Sequence, residues 1–342
     1  MRCPSCSTEV PPSRRSCPVC QTLIHADELK RLAREAEEAE AVRPADALAA
    51  WRQTLDLLPA ESGQARVIAG RIDGLSRRVE QEGGGAAARG IKKLGSVWKS
   101  AGGLAAAALL AWKLKAVLLF LLTKAKLLLL GFTKIGTVST MALSLGVYWT
   151  VFGWQLALGL IVSIYIHEMG HVAALRRFGI PASAPMFIPG IGAFVRMKQR
   201  PANAREDARV GLAGPIWGLA AALAAWGIHL AGGGPVWAAI ARLGALINLF
   251  NLLPFGPLDG GRGFSALSRW QRLAAAGVIG AAWAFTREGL LILLLIAAVF
   301  WLFIPRPAKE GAGDGDGVAL AQYAGLVVIL SALCLIPVPG MR

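Results

Sequence analysis

The apolar run Gly153–Ala174 carries His167, Glu168 and His171 in its second half, and no other segment restricts the possible folds of the chain as strongly. A run of that length has to satisfy its backbone hydrogen bonds internally, so it reads as a helix set in lipid or in a protein interior. Ionisable groups inside such a helix are costly unless they are paired or hold an ion. Residues four apart share one helical face, so His167 and His171 offer two imidazole nitrogens to one metal. Glu168 follows the first of them and can act as general base on a water at that metal. A purely structural polar cluster would have the same spacing, but the cost of burial argues against it.

The rest of the composition agrees with a membrane setting. The 342 residues are 55% hydrophobic, and Ala208–Leu230 and Gly289–Ile304 are also long enough, or nearly so, to cross about 30 Å of hydrocarbon. The formal charge of +15 is uneven: residues 1–99 hold 16 basic and 13 acidic side chains, and residues 100–342 hold 20 and 8. The excess therefore belongs to the apolar part, which fits positively charged cytoplasmic loops and not nucleic-acid binding. The polar, cysteine-rich N-terminus lacks the apolar core of a secretory signal.

Several segments follow in order. Residues 1–25 hold Cys3-x-x-Cys6 and Cys17-x-x-Cys20, two knuckles that would close one tetrahedral structural zinc site, a zinc ribbon. Residues 26–82 read as a helical module. A charged helix over Asp27–Ala41 precedes a tetratricopeptide-like hairpin, Pro44–Leu58 with Ala47, Leu48, Trp51, Leu55 and Leu58, and Gly63–Val79 with Val67, Ile68, Ile72 and Leu75. Gly83-Gly84-Gly85 makes 83–99 a flexible linker. Residues 100–134 form an apolar segment whose Lys113, Lys115, Lys124 and Lys126 fit a span, a hairpin or an interfacial helix. The segment that holds the histidine motif, 135–272, follows, then C-terminal transmembrane helices over 273–342.

Arg89, Lys92, Lys93 and Lys99 place the N-terminal module in the cytoplasm, and seven basic residues between Arg176 and Arg209 place that loop there too. His167 lies nine residues before Arg176, roughly 14 Å below that interface at 1.5 Å per residue. With a cytoplasmic N-terminus, only one of 104–132 and Val138–Phe152 can cross before the motif helix. Ala208–Leu230 then runs outward and Val236–Leu253 returns. The return brings Asn251-Leu-Leu-Pro254 and Leu258-Asp259-Gly260 to the depth of the histidines. Pro254 and Pro257 break the helix there, and Asp259 becomes the expected third ligand beside an open fourth position. Arg262 reads as an interface anchor. The loop Pro181–Met197 reads as a short hairpin, whose free edge either receives an unwound substrate strand or covers the site from lipid.

His167-Glu168-Met169-Gly170-His171 together with Asn251-x-x-Pro254-x-x-x-Leu258-Asp259-Gly260 resembles the two signatures of the site-2 protease family of intramembrane zinc metalloproteases, over roughly 135–272. The resemblance implies a catalytic zinc on His167, His171 and Asp259, and water activation by Glu168. Ala213-Gly214-Pro215 resembles a third motif of the family. Gly218 stands where many members have asparagine, and Asn251 is the candidate substitute for a substrate or oxyanion contact. The fold expected is an α-helical polytopic membrane protein with a site-2-protease-like core, a short membrane-associated hairpin, and an N-terminal ribbon and helical hairpin. Its expected setting is multi-pass in the bilayer, with the N-terminal module and the site opening toward the cytoplasm. The expected partners are a membrane-protein substrate, lipid, and a protein recruited by the N-terminal module. The alternatives are a zinc transporter or metal sensor using the same ligands, and a silent scaffold.

Overall fold

The computed structural model describes residues 1–11, 14–98, 135–303 and 315–338. The lysine-bearing segment 104–132 lies outside the described residues. The chain divides into two compact units: Met1–Thr123 with Arg176–Pro181, and Lys124–Leu175 with Ala182–Arg342.

In the first unit three helices follow the cysteine knuckles: α1 (Ala26–Ala39), α2 (Pro44–Leu57) and α3 (Gly63–Trp98). Each buries one stripe, as helical spacing requires: Leu29, Leu32 and Ala36 in α1, Ala47, Leu48 and Trp51 in α2, and Ala65, Ile72, Leu75 and Val79 in α3. Val67, expected on the buried face of α3, is 64% exposed. The stripe runs through 65, 72, 75 and 79, and Val67 lies about a third of a turn from its centre. A second correction concerns Gly83-Gly84-Gly85, where the sequence suggests a flexible linker: α3 stays helical through it to Trp98. Glycine costs about 1 kcal/mol per position in a helix, but propagation of an existing helix adds a hydrogen bond per residue, and Ala86-Ala87-Ala88 follows. The segment Arg176–Pro181 packs into this unit. The buried Arg52 donates to the Phe178 carbonyl at 3.1 Å, and Arg177 donates to the Val79 carbonyl at 2.6 Å.

The second unit is helical apart from one hairpin. Its elements are α4 (Ile135–Phe152), α5 (Trp154–Arg177), β1 (Met186–Ile188), β2 (Gly192–Phe194), α6 (Ala204–Leu230), α7 (Pro235–Asn251), α8 (Asp259–Ser265), α9 (Arg269–Thr286), α10 (Leu290–Phe303) and α11 (Gly317–Leu333). Among the described residues, α5 and α6 are long and apolar enough to cross a membrane. Small side chains make the α6–α7 contact: Ala222, Ala225, Ala238, Ala241 and Ala245 are all buried in one cluster, which lets two backbones approach closely. The starts of α6, α9 and α11 are capped by side chains. Asn203 accepts from the Glu206 amide at 2.8 Å. Asp316 accepts from Val318 and Ala319 at the start of α11 and pairs with Arg209 of α6 at 2.9 Å.

Between α7 and α8 the chain is broken at Pro254 and Pro257, as expected, and the carbonyls released there find partners. Tyr323 of α11 donates to the Leu252 carbonyl at 2.6 Å, and the Trp301 indole donates to the Pro254 carbonyl. Phe264 of α8 packs edge-on against both rings. The break is thus fixed by two aromatic donors and held in one conformation. Tyr323→Phe should leave the Leu252 carbonyl unpaired in a dry site, costing about 1–3 kcal/mol. Thermal unfolding in detergent should show a loss of about 2–4 °C for each kcal/mol.

Candidate metal centre

α5 is the buried helix of the second unit, and His167, Glu168 and His171 are at most 8% exposed. Their ring contacts assign the protons. His171 Nδ1 lies 2.8 Å from the Val210 carbonyl, which can only accept. His167 Nδ1 lies 2.8 Å from Asn248 Oδ1, and the Asn248 amide nitrogen donates to the Gly244 carbonyl at 2.7 Å, so its oxygen is the atom facing the imidazole. Both imidazoles therefore carry hydrogen on Nδ1 and turn Nε2 inward, where the neutral ring offers a lone pair to a cation.

These lone pairs converge. The two Nε2 atoms are 3.2 Å apart; Asp259 Oδ2 is 3.1 Å from that of His167 and Oδ1 is 3.3 Å from that of His171. Three acceptors facing one another in a dry pocket repel unless a positive charge sits between them. One proton can satisfy one imidazole, whereas a divalent cation satisfies all three groups together. Tetrahedral zinc with bonds near 2.0–2.1 Å separates its ligands by about 3.3–3.4 Å, so the donor set fits such an ion. Glu168 stands close enough to both histidines and to Asp259 to interact electrostatically.

Backbone approach explains the Ala213-Gly214-Pro215 motif. A Cβ on Gly214 would fall onto His171 Nε2 and within 2.7 Å of His167 Nε2, so only glycine leaves the imidazoles room over α6. Asp259 opens α8 directly after the Pro-broken stretch, which brings its carboxylate to the imidazoles. Arg262 is not an interface anchor: its Nε donates to Asp207 at 2.8 Å, a partly buried ion pair joining α8 to α6. Asn251 is the half-buried last residue of α7, and the amide that meets His167 belongs to Asn248, one turn earlier. The sequence reading missed Asn248. Its three-residue spacing from Asn251 on an otherwise apolar helix was the available signal.

The four N-terminal cysteines form a second cluster, with all ligand atoms within 4.8 Å of one another. Its two halves repeat the same turn: Cys3 O accepts from Ser7 N and Cys17 O from Gln21 N, both at 2.9 Å, with Ser7 and Gln21 at positive φ. Sulfurs pair across the halves, Cys3 with Cys20 and Cys6 with Cys17, each at 3.5 Å. Thiolates on tetrahedral zinc sit about 3.8 Å apart for bonds near 2.3 Å, so this cluster fits a zinc ribbon. Contact with Thr22, through its hydroxyl first and then its backbone, lowers the Cys20 thiol to about 6, which favours the metal-binding thiolate at neutral pH.

Two imidazoles, a carboxylate and an adjacent glutamate on a helical scaffold are a donor set that can hold a hydrolytic metal ion. Comparison with known proteins adds a likeness: residues 155–234 match Peptidase family M50. It is 28% identical over 228 residues to "Probable zinc metalloprotease EGY2, chloroplastic" of Arabidopsis thaliana, covering 51% of the chain and 40% of that protein. It is 30% identical over 122 residues to a zinc metalloprotease of Methanocaldococcus jannaschii, covering 34% of each chain. Rip3 of Mycobacterium tuberculosis, which also carries a zinc-metalloprotease name, is 33% identical over 174 residues, covering 46% of the chain and 42% of Rip3. The chain thus matches between 34% and 42% of the length of these relatives.

Two outcomes can be measured by metal analysis of purified protein. Gly214→Ala should remove the metal bound at the histidines, because its methyl group takes the space of their ligand atoms. Cys17→Ser should remove one zinc per chain and leave the other.

Proposed function

We propose that the chain is an intramembrane zinc endopeptidase that hydrolyses peptide bonds in or near the transmembrane segments of other membrane proteins. The observation that supports this most directly is the meeting of two imidazole Nε2 atoms and the Asp259 carboxylate beside Glu168, with the histidines and Glu168 inside the stretch that matches Peptidase family M50. In this reading His167, His171 and Asp259 hold a catalytic zinc, and Cys3, Cys6, Cys17 and Cys20 hold a structural one. When bound, the catalytic zinc polarises the scissile carbonyl and lowers the pKa of water. Glu168 takes the proton from the attacking water and delivers it to the leaving amine nitrogen. Apolar walls exclude bulk water from that transfer.

The membrane setting draws support from α5 and α6, which are long enough to span, and from outward-facing apolar side chains. Leu293, Ile296, Phe300 and Phe303 of α10 are each more than half exposed, which suits lipid and is costly in water. The basic loop between Arg176 and Arg209 supports a site opening toward the cytoplasm. A zinc carrier would need ligands strung along a path, whereas the metal-capable groups of the described residues gather into two compact clusters.

The β1–β2 hairpin suits the delivery of substrate. Phe187 N on β1 donates to the Thr140 hydroxyl of α4 at 3.3 Å, and Thr137 donates to the Pro185 carbonyl at 2.9 Å. The outer edge of β1 is thereby occupied. Phe187 pairs with Ala193, and because Phe187 N points away from β2, theirs is a non-hydrogen-bonded pair. The Ala193 amide and carbonyl consequently point outward, and among the described residues no further strand lies on that side. An uncoiled substrate segment can pair there and present its carbonyl to the site. The N-terminal ribbon and helices supply a surface for a protein partner.

Glu168→Gln should keep the zinc content of the parent and lose at least about a hundredfold in cleavage of a model transmembrane substrate. Retained cleavage would remove Glu168 from the chemistry. Ala193→Pro should leave the hairpin ladder intact, since the lost amide is not part of it, and lower kcat/KM for an extended substrate; an unchanged value would assign the hairpin to shielding alone.

A further inference from the structure

We propose that Asn248 and Gly218 form one positioning device that presents the His167 lone pair to the metal. This rests on reading His167 as a ligand. Asn248 is 2% exposed and both ends of its amide are committed. The nitrogen donates to the Gly244 carbonyl one turn back on α7, and the oxygen accepts from His167 Nδ1. The first bond forbids an amide flip, because an oxygen facing the Gly244 carbonyl would set two acceptors together. The second holds hydrogen on Nδ1, turns Nε2 toward Asp259, and makes the imidazole more basic toward a cation.

Gly218 is the other half of the device. The Asn248 side chain lies flat against the α6 backbone at this point, and a Cβ on residue 218 would overlap its Oδ1, with Cγ and Nδ2 both 2.5 Å away. One turn along the same helix, Gly214 admits the imidazole Nε2 atoms. The two glycines leave a bare strip on α6, and His167 is held at both nitrogens over it: Nε2 above Gly214, Nδ1 by the amide above Gly218. His171 needs no such side chain, because the Val210 carbonyl of α6 performs the same task. Asn248 touches neither the metal position nor a substrate and acts only through His167.

The test uses full-length protein in detergent with zinc or cobalt as the probe, comparing Asn248→Leu, Asn248→Asp, Gly218→Ala and the reference His167→Ala. Asn248→Leu keeps the volume and loses the acceptor; Gly218→Ala keeps the asparagine and displaces it; Asn248→Asp keeps an acceptor toward Nδ1. Chelator competition should show zinc at the histidine site weakened about ten- to a hundredfold in the leucine and alanine variants, with ribbon zinc unchanged. The visible spectrum of the cobalt form should shift in both; in the aspartate variant, whose carboxyl in the protonated form donates to the Gly244 carbonyl and accepts from Nδ1, affinity should stay within a few-fold of the parent and the spectrum should stay in place. Parent-like affinity and spectrum in either Asn248→Leu or Gly218→Ala would overturn the proposal. Equal weakening in all three, with melting lowered in parallel, would reduce Asn248 to packing and overturn it too. If His167→Ala keeps its zinc, the ligand assignment itself fails and the positioning role falls with it; if that variant loses zinc while Asn248→Leu retains it, only the role of Asn248 is lost.

Discussion

Two imidazole nitrogens and the two oxygens of one carboxylate, brought to about 3 Å of one another in an apolar interior, are the constraint on which the second unit depends. Nothing in the helices' own hydrogen bonding requires such an arrangement, and electrostatics opposes it until a cation arrives. The surrounding residues resist its relaxation. Val210 and Asn248 fix the tautomers, Gly214 makes room for the rings, and the proline-broken stretch brings in a carboxylate that a continuous helix would have carried elsewhere. Strain of this kind is what a preorganised metal site stores, and the binding of the ion releases it.

The break itself illustrates how an apolar interior tolerates irregular backbone. Interrupting α7 at Pro254 frees carbonyls that water would solvate in a soluble protein. Here a tyrosine from α11 and a tryptophan from α10 donate to them, so residues nearly 50 and more than 70 positions away secure the geometry of Asp259. The C-terminal helices are therefore part of the site's support, although they hold none of its ligands.

Much of this was legible before any coordinates. The spacing of His167 and His171 needs only helical periodicity, and Pro254, Pro257 and Asp259 carry their own signal because two prolines three residues apart end an apolar helix, where the lone Pro215 is carried inside one. What could not be read was pairing across helices. Asn248 resembles any helix-buried amide until its distance to His167 is known, and Gly218 looks like a lost asparagine instead of a cleared space. Arg262 was similarly opaque: beside a helix end it reads as an interface anchor, while the fold pairs it with Asp207. The continuity of α3 through three glycines was missed for a different reason: composition reports local cost, and helix propagation is cooperative.

The short hairpin has a consequence for selectivity. β2 is three residues long and, in the pairing proposed, offers a visiting chain the main-chain groups of a single alanine. So small a template has little means of reading side-chain identity. Discrimination then shifts to the visitor's own mechanics: a segment that uncoils easily, through glycine, proline or a polar kink, reaches the edge at low cost, while a stiff leucine-rich helix passes by intact.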